Sequence, residues 1–256
     1  MRIDIALVEA KMFNTRSSAQ DAIKEGRVKY NNKIISKNSF QIEDINLISI
    51  QEKELNFVSR AGLKLHHAMI NFNVNVDGKV CYDIGASTGG FTQVLLNNNA
   101  KKVYALDVGS SQLSPIIKND SRVINLENTN CRYLDELKLE DKADFACMDV
   151  SFISIKKIIP ALLKCMSEDY ECIFLIKPQF EAGKDKIGKN GIIKDSKVHK
   201  IVLMDMINYF KENDIVIKGL EVSSILGRDG NKEFVVYLSN HGSNCVIDIE
   251  KIIKSA

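Results

Sequence analysis

The run Lys79-Val80-Cys81-Tyr82-Asp83-Ile84-Gly85-Ala86-Ser87-Thr88-Gly89-Gly90-Phe91 constrains the fold of this chain more than any other stretch. It reads as a short buried strand, a glycine turn and the start of a helix. Gly85, Gly89 and Gly90 remove Cβ atoms where the backbone turns tightly or a ligand comes close. The spacing G-x-x-x-G-G is neither G-x-G-x-x-G nor the Walker loop, which needs Gly-Lys-Ser/Thr. With Asp83 ending the strand, the turn suits a ligand with a positive or hydroxyl-bearing part rather than a pyrophosphate. The amino acid half of S-adenosylmethionine fits that description; an ordinary βα turn is the plain alternative.

Around this run the rhythm is that of alternating strands and helices. A helix is expected over 63–72 and another over 91–96. Short apolar strands are expected over 103–108, 123–126, 144–150 and 172–176, with a helix over 158–166. A helix over 199–212 and strands over 215–222 and 233–238 follow. This pattern predicts a parallel sheet covered on both faces. The last two strands are joined by a loop too short for a crossover helix, so they pair antiparallel and the final strand is reversed.

Residues 1–55 read as a separate small α+β unit, followed by a linker at 56–60 and a second domain over 61–256. Ile3, Leu7, Val8 and Ala10 suggest one face of a first helix. Ser17 or Ser18 is placed to cap a second helix with Ala19, Ala22 and Ile23 inside it and Gly26 past its end. Asn31-Asn32 between Arg27–Tyr30 and Lys33–Ile35 predicts a tight hairpin. Basic residues gather here although the net charge of the 256-residue chain is only +2. Lys11, Arg16, Lys24, Arg27 and Lys29, with Arg60 beyond the unit, form a candidate phosphate-binding set; a solvated helix face is the plainer explanation of such a cluster.

Composition closes off other classes. A hydrophobic share of 45% and a charged share of 27% describe a soluble globular protein. The six cysteines include no C-x-x-C pair, and Cys81, Cys147 and Cys172 fall in apolar strands, so they read as core residues in a reducing compartment. The four histidines show no metal-ligand spacing, and no metal is expected. No apolar run approaches the ~20 residues that span a bilayer. A cytoplasmic protein without stable membrane insertion, and a monomer, is the expectation.

Ligands of open α/β sheets sit at the carboxyl ends of the strands. Asp83 and the glycines lie there. So does Asp107, about 20 residues on, where an acid commonly takes ribose hydroxyls. Asp149, followed by Val150-Ser151-Phe152, and Lys177, followed by Pro178, end later strands. Glu233 begins the reversed strand and so reaches the same edge, and Lys64 can approach it from the preceding helix. An isolated Asp at a strand end is usually a turn former; two lysines and two acids brought to one edge form a candidate catalytic set.

The runs Ser59-Arg60-Ala61-Gly62-Leu63-Lys64-Leu65, Asp83 to Thr92, Asp149-Val150-Ser151-Phe152-Ile153-Ser154 and Lys177-Pro178-Gln179-Phe180-Glu181-Ala182-Gly183 resemble the TlyA family. Arg2-Ile3-Asp4, Thr15-Arg16-Ser17-x-Ala19-x-x-x-Ile23-x-x-Gly26-x-Val28 and the Asn31-Asn32 turn resemble the S4-like RNA-binding fold. The resemblance implies a Rossmann-like, FtsJ-like methyltransferase domain behind an S4-like domain that binds structured RNA. The implied activity is S-adenosylmethionine-dependent 2′-O-methylation of cytidine ribose in 16S or 23S ribosomal RNA, or both, within ribosomal subunits. The family's Lys-Asp-Lys-Glu set falls on Lys64, Asp149, Lys177 and Glu233. The cofactor set is Asp83, Gly85, Ser87, Gly89, Gly90, Phe91 and Asp107. Ala61 departs from the family pattern, as do Ser110-Ser111, and the tail from Ser239 matches no motif.

A ribose hydroxyl becomes a good nucleophile only when its proton is removed, and Lys177 is the candidate base, with Asp149 orienting it. Methylation of a base amine would need Asp/Asn-Pro-Pro-Tyr/Phe, and Asp149-Val150-Ser151-Phe152 lacks both prolines. Methylation at a cytosine carbon would need a nucleophilic cysteine, typically beside proline, and none of Pro115, Pro160 or Pro178 neighbours one. A membrane-active haemolysin is the alternative from another class. It would have to rely on the amphipathic stretch 246–253, which a docked helix explains better. A ribosome-binding module without catalysis would have no need of the four charged residues.

Overall fold

The computed structural model describes every residue except 14, 52–56, 184–190, 228–229 and 256. The chain divides into two compact units, Met1–Asn56 and Phe57–Ala256.

In the first unit, α1 (Ile3–Glu9) and α2 (Arg16–Lys24) accompany a small antiparallel sheet of β1 (Val28–Tyr30), β2 (Lys33–Ile34) and β3 (Ile48–Ile50), in the order β2-β1-β3. Asn31 and Asn32 take φ of 49° and 62°, the pair of left-handed residues that a two-residue hairpin needs. Thr15, not Ser17 or Ser18, caps α2: its side chain accepts the Ser18 N–H, and the Ser18 side chain accepts the Thr15 N–H in return. On α1 the buried face is Ile3, Asp4, Ala6 and Leu7, whereas the expected Ala10 is exposed. Asp4 can be buried because four donors surround it, a feature that hydrophobic spacing does not report. β3 was hidden from the sequence reading because only Ile48 and Ile50 mark it.

The second unit is a seven-stranded sheet. Its strands are β4 (Val80–Ile84), β5 (Lys102–Leu106), β6 (Val123–Leu126), β7 (Ala143–Met148), β8 (Met166–Ile176), β9 (Val216–Val222) and β10 (Phe234–Ser239). The order is β6-β5-β4-β7-β8-β10-β9. β10 runs antiparallel to both β8 and β9, and the pairs on the other side are parallel. Helices α3 (Ala61–Asn71), α4 (Gly90–Asn97), α5 (Pro115–Lys118), α6 (Ile159–Lys164), α7 (Pro178–Glu181), α8 (Ser196–Glu212) and α9 (Ile249–Lys254) complete it. Every residue of β4 is buried because both sheet faces are covered. Cys81, Val103, Phe145 and Ile173 meet Leu65, Met69, Val94 and Leu95 on one face. Tyr82, Tyr104, Met148 and Phe174 meet Leu162, Leu203, Phe210 and Ile253 on the other.

β8 begins six residues before the expected strand, since the polar stretch 167–171 conceals its start. The amphipathic tail is the docked helix α9, with Ile253 buried and Ile249 and Ile252 packed on the core. Of the expected linker, residue 56 lies outside the described residues. Phe57 and Val58 pack on the second unit's core, and the Val58 N–H donates to Gln93 Oε1 at 2.7 Å.

Candidate active site

The carboxyl ends of β4, β5, β7 and β8 and the start of β10 converge on one edge, and the glycine turn after β4 shapes it. Gly85 has φ of +85°, and a Cβ there would stand 2.6 Å from the Asp149 carbonyl oxygen. Only glycine lets the turn approach β7 this closely. Two adjoining cavities result. The larger, about 520 Å³, is lined by Gly85, Ser87, Asp107, Gln112, Thr129–Arg132 and Asp149–Ile153. The smaller, about 220 Å³, is lined by Ser59, Ala61, Gly85–Thr88, Gly90, Phe91, Asp149, Ser151 and Lys177.

Between them lies a chain of alternating charge. Lys64, on α3, donates to Glu233 Oε2 at 2.5 Å and stands 3.9 Å from Asp149 Oδ2. Lys177 Nζ is 2.6 Å from Asp149 Oδ1 and donates to Ser151 Oγ at 3.1 Å. Lys64, Lys177 and Glu233 are all buried. Each cation therefore has its own carboxylate and Asp149 faces both lysines, the arrangement that makes ion burial affordable. The Glu233 carboxylate lies where a Cβ on residue 227 would stand, so Gly227 makes room for it.

The cofactor-binding expectations divide. Gly85, Ser87 and Asp107 line the larger cavity, and Gly90 and Phe91 the smaller. The Asp107 carboxylate is fixed by the N–H groups of Ser87 and Gly109 at 2.8 and 2.7 Å. Asp83 and Gly89 line neither cavity. Asp83 is fully buried beneath the turn, where it accepts Thr92 Oγ1–H at 2.6 Å and faces Cys147 Sγ. Gly89 has φ of +92°, and its missing Cβ leaves room for Leu113 and Ile117. Both support the turn from beneath. Gln112, Glu127 and Thr129–Arg132 were not foreseen. Glu127 accepts the Gln112 N–H at 3.1 Å and so fixes the cavity wall. Burial pushes the Cys131 thiol up to about 12, so this cavity residue is an inert contact and not a nucleophile.

Burial also pushes the Asp83 carboxyl up to about 7, against the hydrogen bonds from Thr92. Between the ordinary 3.8 and about 7 the folded chain therefore binds more protons at this site than the unfolded chain, and stability falls as pH rises through that window. Asp83→Asn should remove this slope. The unfolding free energy of the variant minus that of the parent should climb from pH 4 to 7.5, by on the order of 4 kcal/mol. Denaturant melts across that range measure it; a difference independent of pH would refute the raised Asp83 carboxyl.

In the first unit the candidate RNA contacts differ in exposure. Lys11, Arg16 and Lys24 are exposed, while Arg27 and Lys29 are half-buried and Arg27 pairs with Glu25. Arg60 lies in the second unit, exposed at the start of α3. A built feature is Asp4: it accepts from Arg2 Nε and Nη2 at 3.0 and 3.1 Å, from Arg16 Nε at 2.9 Å and from Gln20 Nε2 at 2.9 Å. Burial alone would raise this carboxyl, but the hydrogen bonds from Arg2, Gln20 and Arg16 hold it down at about 2. The charged Asp4 thus fixes two guanidinium groups whose other edges face solvent. Arg16 is one of the candidate phosphate contacts, and Arg2 belongs to the Arg2-Ile3-Asp4 run that carries the S4-like resemblance.

A cavity over a glycine turn at the edge of this sheet, with Asp149 of the ion chain in its wall, is consistent with a methyltransferase of the FtsJ-like class. The pattern of the FtsJ-like methyltransferases matches residues 57–240, and that of the S4 domain matches residues 1–44. The chain belongs to the TlyA family of these enzymes. It is 42% identical over 238 residues to "Putative rRNA methyltransferase YqxC" of Bacillus subtilis, covering 93% of this chain and 85% of that one. It is 35% identical to the 16S/23S rRNA (cytidine-2'-O)-methyltransferase TlyA of Mycobacterium tuberculosis, covering 93% and 89%. A solved structure, "Putative hemolysin from Streptococcus thermophilus", is 38% identical and superimposes with a TM-score of 0.77, covering 100% of this chain and 94% of that one. Among the described residues no helix is long and apolar enough to cross a membrane, and no group of three or more His, Cys, Asp or Glu side chains could hold a metal ion.

Proposed function

We propose that this protein methylates the ribose 2′-hydroxyl of a cytidine in ribosomal RNA, using S-adenosylmethionine, on the 16S or 23S molecule of an assembling or mature subunit. The observation that carries this reading is Lys177, ion-paired with Asp149 at the wall shared by the two cavities. The cavities suit the cofactor: Asp107 faces the larger with a fixed carboxylate for ribose hydroxyls, and the smaller, lined by Gly85 and Gly90, adjoins it with space for an amino acid portion. When bound, S-adenosylmethionine supplies an electrophilic methyl group. Lys177 first releases its own proton to solvent; its neutral amine then takes the proton of the 2′-hydroxyl, and Asp149 holds the amine on line. Lys64 and Glu233 fix the other oxygen of Asp149 and keep water out of the pair. Phe152, 93% exposed at the rim, offers a ring to an unstacked base. Placement of the hydroxyl by these groups supplies much of the acceleration.

Mass mapping of ribosomal RNA from cells with and without the gene tests the reaction and names the nucleotide. Loss of one 2′-O-methylcytidine, restored by purified protein and S-adenosylmethionine, is the expected result. Unchanged maps together with absence of methyl transfer to any subunit in vitro would refute it. On this reading the protein acts in the cytoplasm as a monomer. The name hemolysin among its relatives suggests a membrane-active alternative, which no feature of the site favours.

The first unit serves as the RNA anchor. Arg16→Ala should weaken binding to ribosomal RNA and reduce the slope of log K against log salt by about 1, the share of one phosphate contact. Filter binding at graded salt measures this; an unchanged slope would place the anchor elsewhere.

A further inference from the structure

Glu181 closes the run that begins at Lys177, yet it touches neither the ion chain nor either cavity. Its half-buried carboxylate reaches across to another segment: Oε2 accepts Ser154 Oγ–H at 2.6 Å and Oε1 accepts the Ile155 N–H at 2.9 Å. Ser154 Oγ in turn accepts the Lys156 N–H at 3.2 Å. Burial pushes the Glu181 carboxyl up, and the bonds from Ser154 and Ile155 oppose that. Buried carboxylates are kept where their hydrogen bonds hold something in place.

The two segments so joined carry the site between them. The loop leaving β7 contributes Asp149, Ser151 and Phe152, and α7 follows directly on Lys177. Three contacts span the same gap: Lys177 to Ser151 at 3.1 Å, the Phe152 ring to the Phe180 ring at 5.1 Å, and Lys177 Nζ over the Phe180 ring at 5.9 Å. Phe152 holds a φ of +65°, a conformation that a bulky residue keeps only when its surroundings impose it. The Glu181 bonds lie at the far end of this loop and anchor it.

We propose that Glu181 is a positioning residue, a clasp that sets the 149–154 loop, and with it Ser151 and the Phe152 ring, against Lys177. The proposal rests on the methyl-transfer reading for its effect on rate, but not for its effect on the loop. Removing the clasp frees the loop to relax about Phe152, so that the groups around the reacting hydroxyl lose their register.

The chain contains no tryptophan, so Phe152→Trp creates a single fluorescent reporter in the full-length protein. In that background, Glu181→Ala should lower the tryptophan fluorescence anisotropy, with Ser154→Ala intermediate, because the exposed ring gains freedom to turn when its loop is released. Glu181→Gln, which keeps an acceptor for Ile155 and offers a donor to Ser154, should stay near the parent. With Phe152 intact, Glu181→Ala should lower kcat for methyl transfer to ribosomal subunits roughly 10- to 100-fold, with KM for cofactor and RNA little changed and Glu181→Gln restoring most of the rate. Unchanged anisotropy in Glu181→Ala and Ser154→Ala, or a raised KM with intact kcat, overturns the proposal. Should Glu181→Ala fail to fold, Ser154→Ala decides by the same two readouts. Should the parent transfer no methyl group, the methyl-transfer reading falls and anisotropy alone decides the clasp.

Discussion

Lys177→Arg should fold, bind S-adenosylmethionine and bind RNA, and yet lose turnover by roughly 10²- to 10⁴-fold, the range that a positioned general base contributes. Arginine keeps the positive charge beside Asp149, so the ion chain stays balanced and the burial of its members remains compensated. What it removes is the capacity to accept a proton, because a guanidinium is not deprotonated in proteins. The substitution therefore separates charge from proton transfer at one position. Single-turnover methyl transfer to ribosomal subunits, at saturating cofactor and RNA, measures the loss. A rate near that of the parent would rule out Lys177 as the base and leave the site acting through placement alone.

Gly85→Ala should lower cofactor affinity by about tenfold or more and carry turnover down with it. A methyl group here would meet the Asp149 carbonyl at 2.6 Å, and backbone cannot swing aside as a flexible side chain can. The new Cβ must therefore displace the β7 loop that bears Asp149, or the turn itself, and both line the cavities. A positive φ alone costs an alanine about 1 to 2 kcal/mol, so stability falls as well. Gly78→Ala separates the two effects: its φ is +71°, and nothing lies within 4 Å of the added Cβ. It should show the strain and none of the loss of affinity. Calorimetric titration with S-adenosylmethionine compares them, and equal affinities in the two variants would mean that the close approach at Gly85 does not shape the site.

The ion chain was legible in the sequence because topology alone gathers it. Lys177 and Asp149 directly follow parallel strands, and Glu233 directly precedes the reversed one, so strand order and direction bring them to one edge whatever their side chains do. Asp83 shows the limit of that argument. It too ends a strand, but it shares a sheet face with Cys81, and that face lies beneath α4; the alternation of side chains along β4 sends the carboxylate toward Thr92, away from the cavity. Gly89 was assigned to the ligand because a glycine serves a close contact and a left-handed turn equally well, and only the φ distinguishes them. Asp4 escaped because a buried acid on an amphipathic helix breaks the apolar pattern, and its partners Arg16 and Gln20 come from α2. The hairpin at Asn31-Asn32 needed no such context, since its turn chemistry is local.

The bond between Lys64 and Glu233 joins residues 169 positions apart in the chain. Lys64 belongs to the first helix of the second unit and Glu233 directly precedes its last strand, so no shorter fragment of that unit can assemble the ion chain. Closing so long a loop is a late event in folding. During synthesis the glycine turn emerges well before its charged wall, and the unit gains a complete site only when β10 has left the ribosome and inserted between β8 and β9. On the proposed mechanism, catalytic competence is thus a check on finished synthesis: a chain truncated before Glu233 keeps the first unit and the glycine turn but lacks the complete ion chain.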